Sequence, residues 1–321
     1  SLHDALPICI GQVHRGRYQN ESLAVKIQYP GVRESIGTDL SLLKKMVGTF
    51  LTISNRSIEL DGLFTELRDI LIQETDYLRE MDLLTAYAQK LADHRLTELY
   101  AVPKVYPQFS TSRVLTMSFE TGVPLKEWII SNPSRADKDH MARLILDLYC
   151  REFFDWGLVQ TDPNFGNFLV RDNRQLVLLD FGATLSYDKT FVETYRNLLR
   201  ALGTFDDQKI IQASLDFHLI DPRESDLTKK AYTQFMRTTL EPFLPHKQPF
   251  QFNDPDYTQR SVAIGRKFTS SLKFSAPPKH IIFLHRKLGG IFNLLRRMDV
   301  EMNLTPYWDK MIQSKLPELS P

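Results

Sequence analysis

Three polar residues in the middle of the chain have the types and the spacing of a magnesium-dependent phosphoryl-transfer site. Asp162 and Asn167 lie in the segment QTDPNFGNF, and Asp180 opens the tripeptide DFG after an apolar run. An aspartate near a substrate hydroxyl can accept its proton, while an amide oxygen and a second carboxylate can hold metal ions against nucleotide phosphates. Asp162 is therefore the candidate catalytic residue, and Asn167 and Asp180 are the candidate metal ligands. Each motif alone is a weak signal, but the ordered set is a strong one.

The segment between Asn167 and Asp180 has the pattern of a β-hairpin. Phe168–Val170 and Gln175–Leu179 are apolar enough to form two short strands, and the four polar residues between them are typical of a turn. The pattern predicts that Asn167 and Asp180 meet at the open end of this hairpin.

The overall composition is that of an ordinary soluble protein and argues against several function classes. Of 321 residues, 42% are hydrophobic and 25% are charged, and 40 basic against 39 acidic residues leave a net charge of +1. No global positive field would recruit nucleic acid. The two cysteines, Cys9 and Cys150, fit a reducing compartment rather than a disulfide scaffold. No apolar run approaches the roughly 20 residues that span a bilayer, although peripheral membrane contact stays open.

The first part of the chain predicts mixed strand and helix. Alternating residues over Ile10–Gln28 indicate a second β-hairpin with a polar turn in its middle. Lys26 lies in the second strand of this hairpin, within a run apolar enough to half-bury its side chain. Pro30 and Gly31 end the strand, and a helix is expected over about Val32–Thr52.

A longer helix is predicted over about Leu63–Leu91, where apolar residues recur at helical spacing. Glu74 falls in the middle of this apolar stripe. Because a carboxylate on an apolar face is costly unless it is paired, Glu74 is a natural partner for Lys26. Glu80 lies on the shoulder of the stripe and competes for the same role. A Glu74 side chain that reaches water is the remaining alternative.

The remainder of the chain is predicted to be mainly helical, apart from strand-like pieces at Val102–Tyr106 and Arg113–Phe119 and the hairpin that follows Asn167. Helices are expected at about His140–Trp156, Thr190–Leu202, Asp206–Phe217, Leu227–Leu244 and His280–Arg297. The stretch Pro242–Asp256 is interpreted as a surface loop, and its three phenylalanines could mark an interface.

With Lys26, Glu74, Asp162, Asn167 and Asp180 in this order, the chain resembles the UbiB/AarF family of atypical protein-kinase-like proteins. The family-like segments include IGQVHRG (Ile10–Gly16), AVKIQYPGV (Ala24–Val32), ETDYLRE (Glu74–Glu80) and LHRKLGG (Leu284–Gly290). The resemblance covers nearly the whole chain. The segments QTDPN and DFGAT look closer to the branch linked to coenzyme Q biosynthesis than to members with HGDPHPGN-like loops.

The resemblance implies an α+β, two-lobed protein-kinase-like fold, with a small mixed α/β N-lobe over residues 10–120 and a mainly helical C-lobe over residues 121–321. It implies ATP and Mg2+ as cofactors, bound between the lobes, and ATPase or phosphotransferase activity in isoprenoid-quinone (ubiquinone) biosynthesis. Besides the nucleotide, the expected partners are an isoprenoid lipid or quinone-pathway enzymes. The expected location is cytoplasmic, with the periphery of the inner membrane or the mitochondrial matrix of a eukaryote as the options.

The family's nucleotide-binding roles fall on two parts of the N-lobe. Lys26 matches the strand lysine that contacts the α- and β-phosphates, which makes it a candidate catalytic residue beside Asp162 as well as a nucleotide contact. The segment Thr116–Glu120 matches the inter-lobe hinge, where the backbone of residues such as Met117 and Phe119 would hold an adenine. The family's catalytic aspartate and metal ligands match the three polar residues described first, in the same roles.

The resemblance leaves the partner of Lys26 open. Glu74 and Asp76 match the family's acidic ExD motif, and Glu80 matches a further helix glutamate. Burial favours Glu74 as the partner of Lys26. The alternative is that the ExD motif contacts an N-terminal extension, as it can in the family, which leaves Glu80 as the partner of Lys26. Both glutamates are therefore candidates for the nucleotide site.

Two departures from the family pattern concern the beginning of the chain. The N-terminal extension with its KxGQ motif is missing, and the alanine-rich phosphate loop is replaced by Ala5-Leu6-Pro7-Ile8-Cys9. A proline and bulky side chains disfavour close backbone approach to phosphates. We expect residues 1–9 to be an atypical segment of an N-terminally truncated fragment, which could weaken nucleotide binding.

Two other function classes fit part of the pattern. Small-molecule phosphotransferases of the aminoglycoside- or choline-kinase type share the D…N…D spacing, but the IGQVH, ETDYLRE and LHRKLGG segments count against them. A non-catalytic scaffold for lipids or quinone-pathway proteins has no need for the complete set of catalytic residues. The basic triplet His285–Lys287 is either a solvated helix face or a patch for lipid phosphate or an acidic partner.

Overall fold

The computed structural model describes residues 6–8, 11–53, 60–162, 164–275 and 278–313. The chain forms two compact units. Unit 1 comprises Ser1–Asn132 and Asn164–Thr184, and unit 2 comprises Pro133–Pro163 and Leu185–Pro321. Unit 1 thus extends beyond the predicted N-lobe limit at residue 120. It also contains the hairpin with Asn167 and Asp180, which the domain prediction had assigned to the helical lobe.

The secondary structure is mixed, with short strands and longer helices. The strands are β1 (Leu6–Ile8), β2 (Gly11–Tyr18), β3 (Glu21–Gln28), β4 (Tyr100–Ala101), β5 (Val114–Ser118), β6 (Val123–Pro124), β7 (Leu158–Gln160), β8 (Phe168–Val170), β9 (Leu176–Leu178), β10 (Thr184–Ser186), β11 (Phe250–Gln251) and β12 (Glu301–Met302). The helices are α1 (Val32–Ile53), α2 (Leu60–Glu74), α3 (Tyr77–Asp93), α4 (Leu125–Ile130), α5 (Arg135–Cys150), α6 (Lys189–Gly203), α7 (Asp207–Asp216), α8 (Asp226–Leu240), α9 (Pro255–Ser271), α10 (Lys279–Arg297) and α11 (Thr305–Ile312).

The first sheet of unit 1 places Lys26 between two neighbouring strands. Its order is β1-β2-β3-β5, and Lys26 of β3 lies opposite Val13 of β2 and Leu115 of β5. The predicted hairpin is confirmed as β2–β3. Its turn residues Gln19 and Asn20 have φ values of 44° and 70°, the positive values that a tight two-residue hairpin turn requires. Strand β1 pairs antiparallel with β2. The remaining residues of the predicted atypical segment 1–9 lie outside the described residues.

The second sheet of unit 1 has the order β4-β9-β8-β6 and contains the predicted catalytic hairpin. Strands β8 and β9 pair antiparallel, with Phe168 opposite Leu178. The Leu179 N–H donates to the Asn167 carbonyl at 2.9 Å, which extends the ladder to its open end. The prediction that the chain at Asn167 meets the chain at Asp180 is therefore confirmed.

The long helix predicted over Leu63–Leu91 is wrong, because the chain breaks it into α2 and α3. Helix α2 ends at Glu74, and Asp76 caps α3 by accepting hydrogen bonds from the backbone N–H groups of Leu78 and Arg79. A side chain that satisfies orphan N–H groups favours a new helix start over helix continuation. The break changes the direction of every later residue, so that Glu80 rather than Glu74 is buried.

Unit 2 is mainly helical, as predicted, and its expected helices are found with shifted ends. The first of them, α5, continues into a π-helical stretch at Arg151–Trp156. Helices α9 and α11 were not predicted. Within the described residues, no helix is both long and apolar enough to cross a membrane.

The interface predicted on the loop over Pro242–Asp256 is wrong. Phe243, Phe250 and Phe252 are only 9%, 4% and 4% exposed, because they pack against one another, α10 and neighbouring aromatic rings. Aromatic residues in a polar loop therefore belong here to the core of unit 2.

Candidate functional site

The side chain of Lys26 is held by two carboxylates inside unit 1. Its Nζ lies 2.9 Å from both oxygens of Glu80 and 3.4 Å from Oδ2 of Asp180. Lys26 is 3% exposed and Glu80 is 1% exposed. Buried charges of this kind persist only when they are paired. The structure thus selects Glu80, and not Glu74, as the partner of Lys26.

Glu80 also connects Lys26 to the DFG segment. Its Oε1 accepts the Phe181 N–H at 3.4 Å, while Oδ1 of Asp180 accepts the Gly182 N–H at 2.9 Å. The Phe181 ring is fully buried and meets the Tyr87 ring of α3 edge-on, with 4.8 Å between centroids. Helix α3 therefore fixes both the lysine and the backbone that carries Asp180.

Sequence reasoning missed a second contribution of α3. The guanidinium of Arg79 donates to the carbonyl oxygens of Gly182 at 3.2 Å and Thr184 at 2.8 Å. These contacts hold the chain just after Asp180. The only sequence signal was an arginine directly before the buried glutamate in ETDYLRE, and nothing in its local pattern indicated a target so distant in the chain.

The electrostatics of this cluster keep Lys26 and Asp180 charged. Burial alone would lower the pKa of Lys26, but the charges of Asp180 and Glu80 raise it above its ordinary value. Burial likewise opposes charge on Asp180, yet Lys26 and the Gly182 N–H hold the pKa of Asp180 below its ordinary value. Burial raises the pKa of Glu80 to about 7 despite the pull of Lys26. Perturbed groups that share a site are typical of functional centres.

Tyr77 adds an unsatisfied polar atom beside this cluster. Its side chain is fully buried, and its hydroxyl has no hydrogen-bond partner among the residues that the structure describes. Lys26 Nζ lies 5.1 Å from the centre of the Tyr77 ring. A Cβ at Gly11 would lie 2.7 Å from this hydroxyl and 2.5 Å from the Ile27 carbonyl oxygen, so only glycine fits there. An orphaned donor and a close backbone approach next to a buried ammonium fit a cradle for an anionic group.

The predicted metal ligands fit Mg2+ by the chemistry of their donor atoms. Asp180 supplies a carboxylate and Asn167 an amide oxygen, and Mg2+ takes hard oxygen ligands from one or two protein groups together with substrate phosphates. The Asp180 side chain is 21% exposed, so part of its carboxylate faces accessible space. Among the described residues, no three His, Cys, Asp or Glu side chains are grouped to hold a metal by themselves.

The other predicted nucleotide contacts have mixed surroundings. Glu74 is half-buried at the end of α2, and its charge acts on Arg79, whose pKa it raises against the effect of burial. Met117 is 6% exposed and lies opposite Ala24 in the sheet. The Phe119 N–H donates to the Ser22 carbonyl at 3.0 Å, so an adenine contact by Phe119 would use its carbonyl oxygen instead.

Asp162 belongs to unit 2, where α10 contacts it. Nη2 of Arg286 lies 3.4 Å from Oδ1 of Asp162. The strand before Asp162 is anchored by Glu152, which is fully buried, accepts the Gln160 N–H at 3.3 Å and pairs with Lys287. The anchoring glutamate lies in the π-helical stretch, a type of irregularity that is common at functional sites.

The basic triplet His285–Lys287 is therefore neither a simple solvated face nor a single basic patch. Arg286 contacts Asp162, while Lys287 is 6% exposed and burial lowers its pKa against the attraction of Glu152. His285 lies 3.1 Å from the Tyr195 hydroxyl. Sequence reasoning missed these roles because the partners lie about a hundred residues or more away in the chain.

Comparison with known protein families identifies the ancestry of this site. The sequence model of the ABC1 atypical kinase-like domain matches residues 8–214, which include every residue of the candidate site named above in unit 1 and Asp162. The chain belongs to the ABC1 atypical kinase-like family. The resemblance to UbiB/AarF proteins is thereby confirmed.

Individual ABC1 relatives extend the similarity over most of the chain. Atypical kinase coq-8, mitochondrial, from Caenorhabditis elegans is 32% identical over 90% of this chain and 38% of the relative. Atypical kinase COQ8, mitochondrial, from Saccharomyces cerevisiae is 30% identical over 98% of this chain and 63% of the relative. The chain thus spans less than two thirds of the length of either relative.

A solved structure confirms the kinase-like fold of the ABC1 chain. The complex of Rv3197 with erythromycin from Mycobacterium tuberculosis superposes with a TM-score of 0.68 over 96% of this chain and 75% of that chain. At 22% identity this similarity concerns the fold alone. A mixed α/β unit and a mainly helical unit agree with the predicted class of architecture, although each unit is built from two segments of the chain.

Proposed function

We propose that this protein binds ATP with Mg2+ and either hydrolyses it or transfers its γ-phosphoryl group. The observation that carries the proposal is the buried ammonium of Lys26, 2.9 Å from Glu80 and 3.4 Å from Asp180. Stability alone does not explain such an arrangement, because replacement of a buried ion pair by apolar residues is often neutral or stabilising. A fixed cation beside a metal-binding carboxylate is what a polyphosphate requires.

The residues of unit 1 have complementary roles in this proposal. Lys26 neutralises phosphate oxygens, and Glu80 fixes the position of Lys26. Asp180 and Asn167 hold the metal ion, which when bound supplies positive charge against the phosphates and the leaving group. Arg79 and the Phe181 ring fix the backbone around Asp180, so that the carboxylate needs little reorganisation.

Asp162 is the proposed acceptor of the proton from the attacking hydroxyl or water. It precedes Asn167 by five residues, a stretch of chain that can span at most about 18 Å. Arg286 restricts the rotamers of Asp162 through its contact with Oδ1. A positioned base of this kind typically contributes a factor of about 10² to 10⁴ in rate.

A thermal-shift titration with Mg-ATP tests the nucleotide site. We expect wild-type protein to be stabilised by about 2.7 kcal/mol at a ligand concentration 100 times the Kd. Asp180→Asn should lose the magnesium-dependent part of the shift. Asp172→Asn is the matched control, because Asp172 is an exposed aspartate at the opposite, closed end of the same hairpin. An equal shift in Asp180→Asn, or none in any variant, would contradict the proposed site.

Turnover tests the role of Asp162 separately from binding. Asp162→Asn should keep the Mg-ATP shift and lose ATP hydrolysis by a factor of about 10² or more. Unchanged hydrolysis in Asp162→Asn would remove Asp162 from the mechanism and leave the binding site intact. Unchanged hydrolysis in both aspartate variants would instead assign the activity to a contaminant.

The relatives support a role in isoprenoid-quinone biosynthesis. Two of them are named atypical kinases COQ8 or coq-8 and mitochondrial, and we propose that this protein serves the ubiquinone pathway at a membrane periphery or in the mitochondrial matrix. Its partners would then be an isoprenoid lipid or quinone-pathway enzymes. Expression in a Saccharomyces cerevisiae strain without its own COQ8 should restore quinone content, and Asp180→Asn should not. Equal rescue by Asp180→Asn would favour a scaffold without catalysis.

A further inference from the structure

Unit 2 contains an apolar cavity that the proposed ATP chemistry does not use. Its volume is about 340 Å³, and its walls come from α5 with the π-helical stretch, α6, α8, α9, α10 and α11. This volume lies within the range of small-molecule sites, which begins at about 300 Å³. Eight of the 18 lining residues are aromatic, and none of the 18 is Asp, Glu, Lys or Arg.

Two of the lining residues form a hydrogen-bonded polar pair. Nε2 of His285 lies 3.1 Å from the hydroxyl of Tyr195, and both residues border the cavity. His285 is exposed by its accessible area, and it borders the cavity. Burial lowers the pKa of His285 to about 4, so the ring is neutral at pH 7. The pair can therefore exchange one hydrogen bond with an occupant without offering it a charge.

Gly289 offers a position on α10 at which the cavity can be tested. It lies inside α10 and borders the cavity, and a Cβ at this position would meet no atom within 4 Å. Glycine inside a helix is less stable than a residue with a side chain. A Cβ would therefore fit here without a clash, and a larger side chain would add bulk beside the cavity.

Water alone is a poor occupant of such a space. Ordered buried water needs two to four polar partners, and most of the lining side chains carry no polar atom. An empty apolar cavity is destabilising, because its lining atoms lose dispersion contacts. A charged occupant would lose its hydration with no countercharge among the lining residues.

We infer that this cavity of unit 2 binds a small uncharged aromatic molecule that carries one hydrogen-bonding group. Its ring packs against the aromatic walls, and its polar group bonds to the pair formed by His285 and Tyr195. The site is distinct from Lys26 and Asp180, which belong to unit 1. The inference does not rest on the proposed nucleotide chemistry.

Titration calorimetry without nucleotide tests the site. The probes are indole, which is uncharged with one N–H donor, naphthalene, which lacks the donor, and indole-3-carboxylate, which is charged. We expect indole to bind with one site per chain, at least tenfold more tightly than indole-3-carboxylate. Absence of indole binding to the wild type, or equal binding of the carboxylate, would overturn the inference.

Two glycine variants localise the binding. Gly289→Leu fills the cavity and should weaken indole binding at least tenfold. Its melting temperature should equal or exceed that of the wild type, which shows that the loss is not unfolding. Gly37→Leu is the matched control, because Gly37 also lies inside a helix, in unit 1, and a Cβ there would likewise meet no atom within 4 Å. Indole binding that survives Gly289→Leu would place the site elsewhere and overturn the inference.

The polar pair has its own test. We expect the wild type to bind indole more tightly than naphthalene, because only indole can donate a hydrogen bond to the pair. In His285→Leu this preference should disappear, while naphthalene still binds. An unchanged preference would mean that the hydrogen-bonding group of the ligand does not meet His285, which contradicts the assigned orientation.

Discussion

Replacement of Lys26 by methionine should destabilise the protein more than replacement of its partner Glu80 by glutamine. Methionine removes the cation that faces two carboxylates, and Glu80 is only 1% exposed. Loss of one partner of a buried pair costs about 3–5 kcal/mol. Glu80→Gln leaves Lys26 beside Asp180, 3.4 Å away. The loss should then be about 1–3 kcal/mol, the scale of one charged hydrogen bond.

The cost of Lys26→Met should also depend on pH. Burial raises the pKa of Glu80 to about 7 even with Lys26 present, and loss of the cation raises this pKa further. Between its ordinary pKa and the raised one, folded Glu80 binds more protons than unfolded Glu80. Stability therefore falls as pH rises through this interval, by about 1.4 kcal/mol for each unit of pKa difference. Lys26→Met should thus be less harmful at about pH 5 than at about pH 8.

Urea unfolding at both pH values measures these differences. Lys310→Met is the control, because Lys310 pairs with Asp147 at 2.8 Å in unit 2, where the two side chains are 14% and 18% exposed. Its cost should be smaller than that of Lys26→Met, because both partners are more exposed than Lys26 and Glu80. A cost of Lys26→Met no larger than that of Glu80→Gln, or a cost that does not increase with pH, would contradict the assigned role of the buried pair.

Three further changes test how the site is supported. Asp76→Ala removes the cap of α3 and should cost about 1 kcal/mol in urea unfolding, whereas the exposed Asp82→Ala on the same helix should cost almost nothing. Lys287→Met strands the fully buried Glu152 and should cost about 3–5 kcal/mol; Glu152→Leu added to it should recover much of this loss. Gly157→Ala places a Cβ 2.4 Å from a carbonyl oxygen at a φ of 59° and should lower the melting temperature by several degrees; an unchanged melting temperature would show that the turn adapts.

Much of unit 1 was predictable because its signals are local. The two hairpins were recognised from alternating or apolar runs and polar turns, and the short separation within each hairpin fixed which strands pair. The position of Lys26 and the meeting of Asn167 with Asp180 followed directly. The general kinase-like architecture rested on the resemblance of several segments rather than on any one pattern.

The partner of Lys26 was not predictable, because the periodic stripe concealed a helix break. Glu74 and Thr75 occupied positions where a continuous helix would bury apolar side chains. A polar residue at such a position predicts a charged partner for Glu74. In the structure it instead marks the end of α2, followed by the cap of α3 at Asp76. Once the second helix starts anew, Glu80 reaches the sheet and becomes the buried carboxylate.

The supports of Asp162 were not predictable because they are non-local. Glu152 and Lys287 are separated by 135 positions, and neither has a neighbour that indicates the other. The three phenylalanines of the loop before α9 were misplaced for the same reason. Their burial depends on α10 and on rings elsewhere in unit 2, whose positions no short window of sequence contains.

One turn of α10 joins three environments. Successive residues on a helix point about 100° apart, so His285 can meet Tyr195 at the cavity, Arg286 can meet Asp162, and Lys287 can meet Glu152. These contacts share one rigid backbone segment. A rotation of this turn that improves one contact must alter the other two. The three contacts are therefore coupled through the backbone of α10. A substitution at His285 that moves this turn should consequently also affect Asp162, which α10 contacts through Arg286.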